Sequence, residues 1–350
     1  MESINPNFIK IAKYQQKINK NVSQCLTCER KCKIPKRKYG FCGTRINING
    51  EIYTIVYGCI PAISVNPIEK KPLFHFHPGS TALTIGTYGC NFTCFWCQNH
   101  HISHPDSPVQ ELVEHEKDYL SPEDFIEIAK SKNCQGTSIS FNEPTLLFEY
   151  SLEVFKLAKK EDLYNTYVSN GYMTENVLKD LIDAGLDAIN IDLKGSKDIV
   201  QKYCGADVEK VWRNAKLAKD LGVHVEITTL LIEDLNSKNS ILKTISERIL
   251  KELGECTPFH ITRFYPQYKS NKHGFYHPTS KDLMYKAYSL AKEVGLKYVY
   301  LGNILGTKYE DTICPNCSKT VIKRANFGVY DLSIDSEGKC EDCGFPICII

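Results

Sequence analysis

Three closely spaced cysteines have the residue type and the spacing of an iron–sulfur centre. Cys90, Cys94 and Cys97 form the pattern C-x3-C-x2-C directly after an apolar, β-branched stretch. Three thiolates can hold three irons of a cubane [4Fe-4S] cluster and leave the fourth iron open to another ligand. A structural zinc ion takes four protein ligands, so a zinc knuckle is the weaker alternative. We therefore expect a catalytic [4Fe-4S] cluster on these three residues.

Four more cysteines lie near the C-terminus in two C-x2-C pairs. Cys314 and Cys317 form the first pair, Cys340 and Cys343 form the second, and 22 residues separate the pairs. This spacing is typical of a zinc ribbon, in which four thiolates close a tetrahedral site around one zinc ion. The metal stabilises a tail that is too short for a hydrophobic core of its own.

A further group of cysteines lies near the N-terminus with the spacing C-x2-C-x3-C-x9-C. It comprises Cys25, Cys28, Cys32 and Cys42. Four thiolates can take zinc or an auxiliary [4Fe-4S] cluster, and since both leave the same net charge, the basic surroundings do not separate the two. We slightly favour zinc. The five remaining cysteines are scattered and are interpreted as buried apolar side chains or surface residues: Cys59, Cys134, Cys204, Cys256 and Cys348.

The middle of the chain alternates short β-branched segments with longer amphipathic ones. Seven segments are predicted to be strands: residues 81–87, 137–141, 165–169, 188–193, 223–232, 259–264 and 297–301. Helical patterns lie between them, which predicts a parallel α/β sheet. We predict a partial (β/α)6-type barrel at residues 79–305, a cysteine-rich extension at residues 1–78 and a zinc-ribbon tail at residues 306–350. Within the extension, Asn49-Gly50 predicts a hairpin turn.

Polar side chains lie on or directly after the ends of several predicted strands. They are Asn142, Glu143, Asn170, Asp192, Lys194, His260 and Arg263. In parallel α/β folds the carboxyl ends of the strands build the active site, which here includes the cysteine loop. Asp192 and Lys194 are two residues apart at one strand end, so their side chains point to the same face. Each residue alone is explained by turn chemistry, but together they predict polar groups around one cavity.

The cysteine motif, with Trp96 before its last cysteine, resembles the signature of the radical S-adenosylmethionine (SAM) superfamily. Glu143-Pro144 is similar to part of the Gly-Gly-Glu-Pro segment of pyruvate formate-lyase activating enzymes, although Phe141 and Asn142 replace the glycines. Asp192-Leu193-Lys194 matches the Asp-x-Lys of the same enzymes. The resemblance implies reductive cleavage of SAM to a 5′-deoxyadenosyl radical. It also implies that SAM is bound by Trp96 and the polar residues Asn142, Glu143, Asn170, Asp192, Lys194, His260 and Arg263.

A narrower resemblance covers nearly the whole chain. Residues 66–79 together with the cysteine loop resemble the AmmeMemoRadiSam system radical SAM proteins. This resemblance implies Memo-type and AMMECR-type proteins as partners, beside a one-electron donor of the ferredoxin or flavodoxin type. Four basic side chains in this stretch either line the site entrance or form a solvated loop, and we favour the loop: Lys70, Lys71, His75 and His77.

The composition limits the function classes further. The 43 basic and 41 acidic side chains leave a net charge of +2, which does not support nucleic-acid binding, although the basic residues near the N-terminal cysteines are a candidate patch. Without an apolar run of 18 residues or a signal peptide, we expect a cytoplasmic protein that does not contact membranes. Three functions stay open: an enzyme acting on a small molecule or modified nucleoside, an activase that installs a glycyl radical on a partner protein, and a non-enzymatic iron–sulfur or zinc-ribbon interaction protein.

Overall fold

The computed structural model describes residues 4–304 and 308–350. Its strands are β1 (Lys10–Ile11), β2 (Gln15–Lys17), β3 (Val22–Cys25), β4 (Lys33–Pro35), β5 (Arg45–Ile48), β6 (Glu51–Thr54), β7 (Ala62–Pro67), β8 (Thr81–Gly86), β9 (Gly136–Ile139), β10 (Tyr164–Ser169), β11 (Ala188–Asp192), β12 (His224–Leu231), β13 (Phe259–Arg263), β14 (Val299–Gly302), β15 (Thr312–Ile313), β16 (Thr320–Ala325) and β17 (Gly328–Leu332). Its α-helices are α1 (His100–Ser103), α2 (Val109–His115), α3 (Pro122–Ser131), α4 (Phe148–Lys160), α5 (Glu175–Ala184), α6 (Lys197–Ile199), α7 (Val208–Asp220), α8 (Asn239–Arg248) and α9 (Lys281–Glu293).

Eight strands form the central sheet in the order β14-β13-β12-β11-β10-β9-β8-β7. Strands β8 to β14 run parallel to one another, and β7 pairs antiparallel with β8 at one edge. The α/β fold with a central parallel sheet is therefore confirmed, with seven parallel strands rather than the six of the predicted barrel type. Strand β7 lies before the predicted boundary at residue 78 and pairs with β8, so the central sheet begins within the segment predicted as the N-terminal extension.

The parallel strands are covered on both faces, which explains their nearly continuous apolar and β-branched sequences. In β8, β9 and β11, almost every residue is buried. The helices that cover the sheet have defined ends. Ser121 Oγ accepts a hydrogen bond from Asp124 N at 3.0 Å before α3, and Gly185 ends α5 with a φ of 112°. These caps fix where the chain returns to the sheet and keep the carboxyl ends of the strands at one edge.

The N-terminal extension contains two small antiparallel sheets, with the strand orders β1-β6-β5 and β2-β3-β4. The predicted turn at Asn49-Gly50 joins β5 to β6, and both residues have the positive φ values, 54° and 96°, that a type I′ hairpin turn requires. The extension docks on the central sheet, since Glu29 N donates a hydrogen bond to Tyr172 O at 3.0 Å. Tyr172 lies just after β10, so this contact places the extension beside the carboxyl edge of the parallel strands.

The C-terminal tail forms a third small sheet from β15, β16 and β17. It is anchored to the rest of the protein by Arg324, whose Nη2 donates to Phe74 O at 2.6 Å. A disulfide between Cys256 and Cys348 adds a covalent connection. From the sequence, these two cysteines are interpreted as buried apolar side chains or surface residues, since a separation of 92 residues leaves no local signal of pairing. Within residues 4–304 and 308–350, no helix has the length and apolar character needed to cross a membrane.

Candidate functional site

The loop with the three cysteines follows β8 at the carboxyl edge of the sheet. Cys94 is buried, and Cys90 and Cys97 are partly buried. Phe92 N donates to Cys90 Sγ at 3.4 Å, and Ser103 Oγ lies 3.0 Å from Cys97 Sγ. Among the described residues, these three Sγ atoms do not all lie within 4.8 Å of one another, the spacing that one shared ion requires. A cubane cluster binds each thiolate to a different iron, so it fits this wider arrangement.

Two asparagines from neighbouring strand ends position the cysteine loop. Asn142 Oδ1 accepts a hydrogen bond from Thr87 N at 3.1 Å, and Asn142 Nδ2 donates to Gly89 O at 2.8 Å. Asn170 Nδ2 donates to Asn91 Oδ1 at 2.7 Å. The structure therefore brings Asn142 and Asn170 to the loop, where Asn142 holds the backbone before the first cysteine and Asn170 holds the side chain of Asn91 after it.

Glu143 is buried after β9 and accepts hydrogen bonds from two strand ends. Its Oε1 accepts from Thr145 N at 3.1 Å, from Thr145 Oγ1 and from Ser169 Oγ at 2.8 Å. Its Oε2 accepts from Asn170 N at 2.9 Å. Burial raises the pKa of Glu143, although these donors oppose the rise. The carboxyl group thus ties the end of β9 to the end of β10 directly beside the cysteine loop.

Asp192 and Lys194 share one face, as predicted, and form an ion pair with 3.2 Å between Lys194 Nζ and Asp192 Oδ2. Burial alone would lower the pKa of Lys194, but Asp192 and the nearby thiols of Cys94 and Cys204 outweigh burial and raise it. Lys194 is therefore a cation at neutral pH. A cation beside Cys94 favours the thiolate form that binds iron.

Cys204 is a neighbour of the site that the sequence did not reveal. It is buried in the turn after α6, and its Sγ lies 3.5 Å from Cys94 Sγ. Arg30 Nη2, from the N-terminal extension, donates to Cys204 O at 3.0 Å. Hydrogen bonds to cluster sulfurs change the reduction potential of a cluster, so a thiol here can tune the centre at Cys94. The only sequence signal was an unassigned cysteine within a strand-to-helix connection.

His260 lies near the start of β13, in a buried group of polar and aromatic side chains. Its Nε2 lies 2.5 Å from Glu226 Oε2, and its ring packs edge-on against Phe74 at 4.7 Å. Glu226 also accepts hydrogen bonds from His75 N at 2.7 Å and lies 2.9 Å from His224 Nε2. Burial would raise the pKa of Glu226, but its histidine partners outweigh burial and hold the pKa well below its usual range. His260 is thus a member of this buried network, in which Glu226 on the adjacent strand engages its ring nitrogen, and its role in cofactor binding stays a prediction.

Arg263 and Trp96 both contact other residues of the protein: Arg263 forms a hydrogen bond and Trp96 packs against an aromatic ring. Arg263 Nε, at the carboxyl end of β13, donates to Thr279 O at 2.6 Å. Trp96 is buried and packs edge-on against Phe95, with 4.6 Å between ring centres. Phe95 in turn stacks on His273 at 4.1 Å. The segment between β13 and α9 thus covers the cysteine loop, and the strand pattern of the sequence contained no indication of this cover.

The basic stretch before β8 was predicted to be a solvated loop. This prediction was wrong for two of its four basic side chains. Lys70 and His77 are exposed, whereas Lys71 and His75 are buried. Lys71 Nζ lies 5.0 Å from the ring centre of Phe141. Phe141 directly precedes Asn142 and Glu143 in the sequence. Burial lowers the pKa of Lys71 to about 7. Lys71 therefore brings a titratable amine to the sheet near neutral pH.

A loop with three cysteines follows the first parallel strand of the central sheet, at the carboxyl end of that strand. The pattern of the Radical SAM superfamily matches residues 84–245. An uncharacterized protein of Methanocaldococcus jannaschii is 39% identical over 340 residues, which cover 97% of this chain and 99% of that protein. A candidate glycyl-radical enzyme activating enzyme of the same organism is 30% identical over 227 residues, covering 63% of this chain and 79% of that protein. The chain belongs to the radical SAM superfamily.

Other relatives match shorter parts of the chain. A GTP 3′,8-cyclase of Aliarcobacter butzleri is 30% identical over 161 residues, which cover 44% of this chain and 47% of that enzyme. A solved domain of a pyruvate-formate lyase-activating enzyme from Bacteroides vulgatus aligns with a TM-score of 0.41 and 16% identity, covering 48% of this chain and 99% of that one. The resemblance to radical SAM proteins is thus confirmed by the sequence relatives, and the association with Memo-type and AMMECR-type proteins stays a prediction.

The four C-terminal cysteines converge on one point. The Sγ atoms of Cys314, Cys317, Cys340 and Cys343 all lie within 4.8 Å of one another. Cys314 Sγ lies 3.6 Å from Cys343 Sγ, and Cys317 Sγ lies 3.7 Å from Cys340 Sγ. Thiolates at about 2.3 Å from a tetrahedral zinc ion lie about 3.8 Å apart, so the geometry is compatible with the predicted zinc ribbon.

Replacing Cys314 and Cys340 together by Ser is expected to remove about one zinc per chain and to leave the iron content unchanged, because two ligands cannot retain the ion. The variant is also expected to melt at a lower temperature, since the tail lacks a large core. Zinc and iron are measured by plasma mass spectrometry on anaerobically purified protein. Cys134→Ser is the control, since this buried thiol lies outside the three groups. A loss of iron with zinc retained contradicts the assignment.

Proposed function

We propose that this protein is a radical SAM enzyme that cleaves S-adenosylmethionine reductively and abstracts hydrogen from a substrate. The observation that carries the proposal is the cysteine loop at the carboxyl end of β8, with Glu143 and Lys194 beside it. A cubane cluster bound there supplies an open iron that chelates SAM and an electron that breaks its C5′–S bond. A one-electron donor of the ferredoxin or flavodoxin type provides that electron.

The residues around the loop have separate tasks in this proposal. Asn142 keeps the loop backbone in place through its hydrogen bond to Gly89, and Asn170 holds the side chain of Asn91. Glu143 offers negative charge to the ammonium group of SAM. Asp192 and Lys194 offer opposite charges to its ribose hydroxyls and its carboxylate. The cover formed by the segment after β13 limits the access of water, which protects a reactive radical from side reactions.

The experiment that tests the proposal measures SAM cleavage by the anaerobically reconstituted protein. With dithionite as reductant, 5′-deoxyadenosine and methionine are expected in equal amounts, even without the substrate. Both products are quantified by liquid chromatography and mass spectrometry. A protein with a fully loaded cluster that forms no 5′-deoxyadenosine above a protein-free sample would refute the proposal.

A second candidate function is the activation of a glycyl-radical enzyme. It is favoured by the 30% identity to a candidate activating enzyme and by the Asp192-Leu193-Lys194 segment. In this case the substrate is a glycine Cα–H of a partner protein, and an EPR doublet of a glycyl radical is expected on that partner.

In the alternative reaction, a small molecule is modified in a pathway with Memo-type and AMMECR-type proteins. Incubation with a glycyl-radical protein from the same genome distinguishes the two reactions, because only the activation reaction gives the EPR doublet on that protein.

Glu143→Gln is expected to weaken SAM binding about ten- to a hundred-fold, or roughly 1.5–3 kcal/mol, while the cluster is retained. The amide loses the negative charge and places a donor where the carboxylate accepts from Asn170 N. Asp192→Asn is expected to have a similar effect. SAM affinity is measured by titration, followed through the EPR signal of the reduced cluster. The exposed Glu123→Gln on α3 is the control. Unchanged affinity in both site variants would mean that SAM binds elsewhere.

A further inference from the structure

The four cysteines of the N-terminal extension surround a single cavity. Cys25 ends β3, Cys28 and Cys32 lie in the loop that follows, and Cys42 lies between β4 and β5. All four line one cavity. Thiols from separate points of the chain thus meet around a common empty volume, which indicates a ligand site rather than four unrelated side chains.

The separation of the thiols argues against a single ion. In the part of the chain that the structure describes, no three of these Sγ atoms lie within 4.8 Å of one another, whereas the four C-terminal Sγ atoms all do. One tetrahedral zinc ion holds its thiolates about 3.8 Å apart. A [4Fe-4S] cluster binds each thiolate to a different iron and therefore spreads them further apart around its own volume. The two groups of four cysteines thus have geometries suited to different metals.

Two buried donors without acceptors also line this cavity. Arg45 is 2% exposed and Asn91 is 0% exposed, and both side chains lie on the cavity wall. Neither Arg45 Nε nor Asn91 Nδ2 has a hydrogen-bond partner in the described part of the chain. A buried donor without an acceptor is costly, so an acceptor is expected in the cavity. The sulfides of an iron–sulfur cluster are acceptors at this place, and the guanidinium charge offsets the negative charge of the four thiolates.

We propose that Cys25, Cys28, Cys32 and Cys42 hold a second [4Fe-4S] cluster with protein ligands on all four irons. The slight preference for zinc from the spacing alone is thereby replaced. This cluster has no open iron and does not bind SAM. It lies against the catalytic loop, because Asn91, which follows Cys90, forms part of the cavity wall. Gly89 is equally close, since a Cβ atom on it would lie 2.5 Å from Cys42 O.

The test counts metals in protein that has been purified anaerobically and reconstituted with iron and sulfide. Wild-type protein is expected to hold about eight irons and one zinc per chain. A variant with Cys90, Cys94 and Cys97 changed to Ala is expected to keep about four irons, with the Mössbauer spectrum of a [4Fe-4S] cluster. That variant leaves the extension intact, so its iron can only be bound outside the catalytic loop. Cys134→Ala is the control and is expected to keep the wild-type metal content.

A variant of the N-terminal cysteines, with the catalytic loop unchanged, tests whether these cysteines are the ligands of the second cluster. Changing Cys28 and Cys42 to Ala is expected to halve the iron content and to leave the zinc content unchanged. If the variant of the catalytic loop contains no iron, whatever its zinc content, the second cluster does not exist and the proposal is overturned. This outcome is separate from a failure of the proposed function, because SAM cleavage by the wild-type protein is measured on the catalytic cluster alone.

Discussion

Replacing Cys90, Cys94 and Cys97 together by Ala is expected to abolish SAM cleavage. Without three thiolates at the carboxyl end of β8, the chain has no means to present an open iron beside Glu143 and Lys194. The expected amount of 5′-deoxyadenosine is therefore that of a protein-free sample. The loss should be complete rather than partial, because in the proposed reaction the electron would reach SAM only through a cluster on these cysteines.

Variants of cysteines outside the catalytic loop are the controls for this loss of SAM cleavage. Cys134→Ala removes a buried thiol outside every cysteine group and is expected to cleave SAM like the wild-type protein. The Cys314→Ser, Cys340→Ser variant is expected to lose stability but to retain cleavage, because the C-terminal tail supplies none of the three cysteines of the loop. Cleavage that persists in the triple alanine variant would show that another centre reduces SAM, and the assignment of the catalytic loop would be wrong.

Features that are local in sequence were predicted from the sequence. The parallel strands appear as short β-branched segments because they are buried on both faces, and all seven predicted segments overlap strands β8 to β14. The hairpin at Asn49-Gly50 was predictable because a type I′ turn needs two residues that tolerate positive φ. The ion pair of Asp192 with Lys194 follows from the alternation of side chains along a strand.

Features that depend on contacts between distant segments were not predicted. His260 lies near the start of β13, unlike Asp192 at the end of β11, and only the register between β12 and β13 reveals its contact with Glu226. Lys71 was expected in solvent because it lies in a basic stretch, yet the fold buries it. Cys204 approaches Cys94 across 110 residues. In each case the partner is set by packing, for which the local sequence pattern carries no signal.

The second large effect is expected at a buried ion pair that joins the extension to the sheet domain. Arg45 on β5 forms two hydrogen bonds with Glu149 on α4, at 2.7 Å and 2.8 Å, and the two side chains are only 2% and 6% exposed. Glu149→Leu is expected to lower the free energy of unfolding by about 3–5 kcal/mol, because the guanidinium then stays buried without its countercharge. The measurement is chemical denaturation under anaerobic conditions, followed by tryptophan fluorescence.

The exposed pair of Lys216 and Asp220 on α7 provides the matched control. Its side chains are about half exposed although its charged atoms lie 2.6 Å apart, and Asp220→Asn is expected to change the free energy of unfolding by about 0.5 kcal/mol or less. Similar small changes in both variants would mean that the buried pair contributes no more than a surface pair.

A double variant separates the charge of Arg45 from the packing of Glu149. Arg45→Met with Glu149→Leu removes both charges and keeps apolar volume at the junction, so much of the stability lost in Glu149→Leu is expected to return. If the double variant is no more stable than Glu149→Leu, the loss comes from packing and not from an unpaired charge. The iron content of the double variant gives an independent result, because Arg45 also lines the cavity of the four N-terminal cysteines. A stable double variant that holds only about four irons would mean that the guanidinium is needed to offset the charge of the second cluster, beyond its role in joining the extension to α4.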